Sequence, residues 1–297
     1  MKLALHITNS NWDTDPAGLG PKLAEIVRSA EDAGFDTISV ADHVWVHPII
    51  GGPLGNHLEA YTTLGFIAAQ TKRVRLLALA TAASYRSAGL LAKVVTTLDV
   101  LSGGRAMLGI GAGDYPEEAA GLGLHFPAGL GDRFDLLEET IQACLEMWEG
   151  ERGSERGVQG RHVRLERALN VPQSISRPHP PLLIAGSGEK RTLPLVARYG
   201  DACNLRPSPE IPRQLELLKS LCERDGRDYT AIEKTAPFFF DVGPQGEKVG
   251  ELVAKLEWLA GMGIETVFGW VVGVERITPL EIMARRVIPA AAELRAA

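Results

Sequence analysis

Leu98-Asp99-Val100-Leu101-Ser102-Gly103-Gly104-Arg105-Ala106-Met107-Leu108-Gly109-Ile110-Gly111-Ala112-Gly113 carries the pattern on which the fold turns. A helical pattern stops at Gly103-Gly104, where a left-handed backbone ends a helix at little cost to glycine. An apolar run follows at once and closes on Gly109, Gly111 and Gly113. The same helix–glycine–strand junction recurs at Gly34 before Phe35, Gly200 before Asp201 and Gly263 before Ile264. Working outward, eight short strands are predicted: Leu3 to Thr8, Thr37 to Ala41, Val74 to Thr81, Ala106 to Gly111, Leu182 to Gly186, Ala202 to Leu205, Ala236 to Asp241 and Thr266 to Val272.

These strands are apolar throughout rather than alternating, which suits a parallel sheet covered on both faces by helices. The intervening segments are amphipathic, with Leu23, Ile26, Val27 and Ala30 on one face and Phe134, Leu137, Ile141, Cys144, Leu145 and Trp148 on another. Ser208-Pro209 and Thr278-Pro279-Leu280-Glu281 mark two helix starts, each with a capping hydroxyl before proline. Eight strand–helix steps predict an α/β fold of the (β/α)8 TIM-barrel type, a single domain over residues 1–297. A doubly wound open sheet is the structural rival, though it leaves edges to protect. Insertions follow strand two (His43 to Leu58) and strand four (Asp114 to Gly131), and one precedes strand five (Gly150 to Pro180), with a hairpin near His162-Val163-Arg164-Leu165. The first two belong to the barrel mouth and are lid and pocket candidates.

Composition narrows the function. The chain has 31 Lys and Arg against 37 Asp and Glu, a formal charge of −6, and no basic stretch. Neither nucleic acid nor a membrane surface is therefore an expected partner. Charged residues interrupt every apolar run before bilayer-spanning length. Cys144, Cys203 and Cys222 are far apart and lack metal-ligand spacing. They read as apolar fillers in a reducing cytosol, so a cytoplasmic protein is expected.

Four constellations could carry chemistry. Gly186-Ser187-Gly188-Glu189-Lys190-Arg191 follows strand five, and its small residues, free helix-start amides and two cations suit a phosphate. A tight βα turn with a solvated charge pair explains the same residues equally well. Gly109-Ile110-Gly111-Ala112-Gly113 offers close approach to a flat ring, or simple packing at a crowded rim; neither loop has dinucleotide spacing. Asp42-His43 ends strand two, where His43 can exchange a proton near neutral pH, with His6 at the same level of strand one. His6 also reads as a satisfied core histidine. A metal site drawn from His6, Asp42, His43, His47 and His57 lacks a clustered ligand pattern, and no metal is assigned. After strand three, Thr81-Ala82-Ala83 leaves room for a planar group, with Tyr85 and Arg86 beneath it or bracing the rim.

Across nearly its whole length the chain resembles the bacterial luciferase-like monooxygenase superfamily, and within it the oxidoreductases that use the deazaflavin coenzyme F-420. The resemblance rests on Glu31-Asp32-Ala33-Gly34-Phe35-Asp36 through Asp42-His43, Tyr85-Arg86, Ser102-Gly103-Gly104-Arg105, Leu108 to Gly113, Arg133-Phe134, Pro181 to Leu193, and Val196 to Ala202. It implies a (β/α)8 barrel with coenzyme in its mouth, the phosphate at Gly186 to Arg191, and a non-prolyl cis peptide near Ala82-Ala83. The implied coenzyme-binding residues are His6, Thr81, Ala82, Ala83, Gly111, Gly113, Gly186, Ser187, Gly188, Glu189, Lys190 and Arg191. The expected catalytic pair is His43, as proton donor or acceptor, and Asp42, orienting it or the ring hydroxyl. Trp45 and Trp270 are expected to wall the substrate pocket, whereas Trp12, Phe238 to Phe240 and Met262 read as core or rim.

Departures from the family pattern, Ser87-Ala88 after Tyr85-Arg86, Asp114 before Tyr115 and Ala119-Ala120-Gly121-Leu122, fall on the substrate side. The expected activity is hydride transfer between F-420 and a small organic substrate, in a homodimer, with a separate reductase as a further expected partner. The rivals are an FMN-dependent two-component monooxygenase, a non-catalytic flavin- or deazaflavin-binding protein, and a metal-dependent barrel hydrolase.

Overall fold

A computed structural model describes residues 1–296. Eight parallel strands run β1 (Lys2–Ile7), β2 (Thr37–Val40), β3 (Arg75–Ala78), β4 (Ala106–Gly111), β5 (Leu182–Ala185), β6 (Ala202–Asn204), β7 (Glu233–Phe240) and β8 (Thr266–Val271). Each pairs with its neighbours in chain order, and β8 returns to β1 through Leu3↔Val267 and Ala4↔Phe268. The sheet is thus a closed barrel, and the open-sheet rival is excluded. Helices α1 (Pro16–Ala33), α2 (Ala60–Gln70), α3 (Ala88–Ser102), α4 (Leu130–Trp148), α5 (Thr192–Tyr199), α6 (Ile211–Asp225) and α7 (Val249–Gly261) connect the strands. A last helical element passes from Thr278–Ile282 through a π turn at Met283–Val287 to Ile288–Glu293.

Strand alternation sorts side chains into two cores. Leu3, Leu5, Ile38, Leu76, Leu108, Ile184, Cys203 and Val267 face the helices in the larger one. Ala4, Leu77, Met107, Leu183, Ala202 and Phe268 form a separate cluster, which fills the barrel interior. Two residues further along each strand, the same inward register brings His6, Leu79, Ala185, Asn204 and Trp270 to the level above that plug. The floor of the mouth is therefore written in the strands.

The Ser-Gly-Gly-Arg segment has a structural reason. Gly103 (φ 74°) and Gly104 (φ 88°) turn the chain out of α3. Arg105 then donates to the carbonyls of Ser102 (2.7 Å), Ala68 (2.9 Å), Val74 (3.0 Å) and Thr71 (3.1 Å) and to the Thr71 hydroxyl (3.0 Å). It thereby satisfies carbonyls at the end of α2 that the helix leaves unpaired. Glu31 performs the matching task for donors, accepting from the amides of Lys72, Arg73 and Val74.

Several local expectations change. The junction glycines Gly34 and Gly263 have φ of 98° and 93°, but Gly200 is extended at φ −77°. Close approach explains Gly200, because a Cβ there would sit 3.1 Å from the Val196 carbonyl. Helix α6 begins at Ile211 with Glu210 as its cap, so Ser208-Pro209 belongs to the preceding turn. Thr278 is already helical and makes no capping bond, with Ile277 (φ 64°) before it. The segment before β5 forms two short antiparallel ladders, Gly153–Ser154 with Ala168–Leu169 and Val158–Gln159 with Arg164–Leu165. The three cysteines are buried and free. Among the described residues no helix is long and apolar enough to cross a membrane.

Replacing Arg105 with Lys removes a planar fork that reaches four carbonyls and leaves one compact ammonium, whose three donors radiate from a single nitrogen. The expected loss is about 2 kcal/mol, from buried carbonyls left unpaired, and it is read as a lower urea midpoint with unchanged slope.

Candidate active site

Above the interior plug, two adjoining cavities open at the C-terminal ends of the strands. The larger, about 730 Å3, runs from Asp42 and His43 past Leu79 to Ala82 and Gly111 to Asp114, and out to Gly186-Ser187-Gly188, Thr192 and Arg206. The smaller, about 250 Å3, is bounded by His6, Thr8, Ile49, Ile50, Pro237 and Trp270. His43, Leu79, Ala80, Asp114, Ala185, Asn204 and Pro237 border both.

The larger cavity is walled mostly by backbone and small side chains. The strand after β3 resumes at Thr81–Ala82, pairing with Ile110 and Gly111 of β4. The non-prolyl cis peptide lies at Leu79–Ala80, not near Ala82-Ala83, and this dipeptide borders both cavities. Thr81 and Ala82 line the larger cavity, whereas Ala83 is buried behind it with its amide on the Gly111 carbonyl (3.0 Å). At the far end, the amides from Ser187 to Arg191 have no backbone acceptor among the described residues. Ser187 accepts from the Arg206 amide through its Oγ (2.8 Å). Arg206 is the only Lys or Arg among the described residues that line this cavity.

The predicted cations of the same loop turn elsewhere. Glu189 forms an ion pair with Arg213, and Arg191 lies 3.1 Å from Asp135. Lys190 and Arg191 border a small outer pocket that shares Phe134 with the larger cavity.

His43 is held by a residue that the sequence reading missed. Glu118, in a short helix at Pro116–Gly121, has a fully buried side chain and accepts from His43 Nδ1 (2.9 Å). Its carboxylate also accepts from the amides of Val44 (2.5 Å) and Trp45 (2.7 Å) and from the Tyr85 hydroxyl. Four donors meet two oxygens, which saturates an ionised carboxylate. Burial pushes the Glu118 acid upward, but these donors outweigh it and hold it at about 2. An ionised Glu118 can only accept, so His43 Nδ1 must carry a proton. Neutral His43 then has its lone pair on Nε2. Burial lowers the His43 pKa, but the Glu118 bond and charge, with Asp114 and Asp42, raise it on balance.

Asp42 lines the larger cavity, and its hydrogen bonds go to residues other than His43. It is 2% exposed, and its carboxylate binds Arg86 Nη1 (2.5 Å), Arg86 Nη2 (3.1 Å) and the Thr81 hydroxyl (2.7 Å). Thr81 is itself 2.8 Å from the Tyr61 hydroxyl, and Arg86 also reaches Glu59 at 2.5 Å. Asp42 therefore ties the end of β2 to the segment after β3, and Glu118 orients His43. His6 is buried with Nδ1 2.8 Å from the Ser39 hydroxyl, and burial drives its pKa down to about 4, so it stays neutral. Trp270 lines the smaller cavity beside His6 (5.4 Å between rings). Trp45 does not line either cavity, and its ring lies over Gly121 instead. Among the described residues, the one grouping of three ligand-type side chains within ion reach is Asp132, Asp135 and His162, far in sequence from the five residues of the metal reading.

A family model described as luciferase-like monooxygenase matches residues 1–286. An uncharacterised protein of Mycobacterium bovis is 29% identical over 229 residues, 72% of this chain and 78% of that protein. An F420-dependent glucose-6-phosphate dehydrogenase of Nakamurella multipartita is 31% identical over 217 residues, 70% of this chain and 60% of the relative. The fold matches an F420-dependent secondary alcohol dehydrogenase in complex with an F420-acetone adduct, with TM-score 0.82 at 17% identity over 98% of both chains. The monooxygenase RslO1 of Streptomyces bottropensis superposes as well, with TM-score 0.82 at 18% identity over 97% of this chain and 99% of that one.

Glu118→Gln keeps the shape and removes the charge that raises His43. The His43 ring is expected to titrate at lower pH in this variant than in the parent, read from its ring-proton NMR signals. An unmoved titration would mean that Glu118 does not control His43.

Proposed function

The chain belongs to the luciferase-like monooxygenase family, and on that premise we propose that it is an oxidoreductase transferring hydride between coenzyme F-420 and a small organic substrate. The observation that carries the reading is the cavity, walled mostly by backbone and small side chains, that joins His43 to the unpaired amides of Ser187 and Gly188. A flat ring system with a phosphorylated tail fits such a shape. Small residues at Ala80, Ala82, Gly111 and Gly113 admit the ring, while the loop amides and Arg206 receive the anionic end. The F420-dependent relative named above supports this coenzyme, and the monooxygenase neighbour supports FMN as the second reading.

Within this reading the residues take distinct parts. Thr81, Ala82, Gly111, Gly113, Gly186, Ser187 and Gly188 bound the coenzyme, with Ala83 packed behind them and His6 beside the ring end, in the adjoining smaller cavity. Glu189, Lys190 and Arg191 are at the outer end, where Lys190 and Arg191 can meet charge beyond the phosphate. The coenzyme, when bound, accepts or returns the hydride. His43 Nε2 takes or gives the accompanying proton at the substrate heteroatom, with Glu118 holding the ring in position. Asp42 holds the wall through Arg86 and Thr81. Pro237, Trp270 and the loop after β2 line the smaller cavity beside His43. A homodimer in the cytosol, served by a separate reductase, completes the proposal.

Fluorescence titration decides between coenzymes: F-420 is expected to saturate the protein, and tight FMN binding without F-420 binding would favour the monooxygenase reading. In the proton-accepting direction, kcat/KM is expected to rise with pH through the raised His43 pKa and then level. His43→Ala is expected to lower kcat on the order of 10²–10⁴-fold, the range for loss of a general acid–base group. Full turnover in that variant would remove His43 from the chemistry.

A further inference from the structure

We propose that the Asn204 side chain is a fixed hydrogen-bond acceptor at the junction of the two cavities, and that it selects bound molecules carrying an N–H or O–H there. The proposal rests on the cavities themselves, and only the last arm of its test uses the coenzyme reading.

A short chain of donors sets the orientation of the amide. Thr235, on β7, has one hydroxyl proton, which it donates to the Cys203 carbonyl at 2.7 Å. Toward Asn204 the same oxygen can therefore only accept, and Asn204 Nδ2 donates to it at 2.9 Å. The amide nitrogen is thus held at β7, and Oδ1 takes the other side of the planar group. Exchanging the two ends would set Oδ1 against the Thr235 oxygen, or draw the hydroxyl proton away from Cys203. The main chain is fixed as well, because the Asn204 carbonyl accepts from the Gly186 amide at 3.0 Å.

Oδ1 is left without a partner. Asn204 is only 9% exposed, and it borders both cavities. Among the described residues no group donates to Oδ1. Leu79, Ala80, Ala185 and Pro237, which border the same junction, have apolar side chains, and Pro237 has no amide hydrogen. The Nδ1 proton of His43 is committed to Glu118 at 2.9 Å. A molecule that expels water from this junction without bringing a donor leaves a buried acceptor unpaired, and it loses affinity for that reason. A molecule with an N–H or O–H at the same place fills it. Asn204 then discriminates between ligands, and Thr235 is a positioning residue that acts through it. The donor can belong to the coenzyme or to the substrate, and the test separates the two.

Succinimide and N-methylsuccinimide differ by a single N–H, and both are small enough for the cavity of about 250 Å3. Each is titrated against the coenzyme-free protein, following the His6 and Trp270 ring NMR signals. Succinimide is expected to bind about tenfold more tightly, equivalent to about 1.4 kcal/mol. Asn204→Leu is expected to bring the two affinities together, whereas a preference set by the bulk of the methyl group would survive it. Thr235→Val removes the hydroxyl that holds the amide and is expected to shrink the ratio, and Thr235→Ser to restore it. Equal binding of the two imides, no binding of succinimide, or a ratio unmoved by Asn204→Leu or by Thr235→Val overturns the proposal. Repeating the titration with F-420 bound assigns the donor: a preference that disappears places it on the coenzyme, and one that persists places it on the substrate. Failure of F-420 to bind overturns the coenzyme reading alone and leaves the coenzyme-free result standing.

Discussion

Closure of the parallel sheet is the constraint from which the rest follows. Once β8 pairs with β1, and β4 with β5, every strand has two partners and every strand ends on the same rim. Period-two alternation then divides each strand between the helix-facing core and the barrel interior. The interior is filled by Leu77, Met107, Leu183 and Phe268, so ligands can enter only above that plug. His6, Asn204 and Trp270 reach the mouth because they stand one inward position beyond the plug on their strands. A slip of one residue would send each of them under the helices.

The loops add polarity, and one buried carboxylate organises it. Glu118 gathers two amides of the loop after β2, the His43 ring and the Tyr85 hydroxyl around a side chain with no exposure. A buried charge of this kind is tolerated only when its lone pairs are filled, so the four donors and the carboxylate stabilise one another. Because the donors come from the segments after β2 and β3 and the acceptor from the insertion after β4, the network joins three parts of the rim. Asp42 makes a second such joint, through Arg86 and Thr81. The His43 ring is thus held by Glu118, next to the Asp42 joint.

Much of this architecture is legible in the sequence. The apolar strands placed the barrel, with Ala106–Gly111 recovered at its full bounds and the others within a few residues. The junction glycines Gly34, Gly103 and Gly263 were read correctly from the cost of a left-handed backbone, whereas Gly200 turned out to relieve a contact instead. Gly111, Gly113 and Gly186–Gly188 do border the large cavity. The short helix of Glu118 shows a proline start and acidic first turn in sequence, but nothing local says where the carboxylate points. Its partner His43 lies 75 residues away. The pairing of Arg191 with Asp135 is not legible locally, because it depends on how α4 meets the start of α5.

What the chain determines alone is what local physics can decide: which runs are buried on both faces, where a backbone must turn left-handed, and which loops are too small to block a ligand. Those features depend on residue type and near-neighbour spacing. What tertiary structure decided is partnership. It gave His43 to Glu118 and Asp42 to Arg86, left Arg206 at the cavity and turned Arg191 away, because electrostatic and hydrogen-bonding choices depend on distances between segments that are remote along the chain.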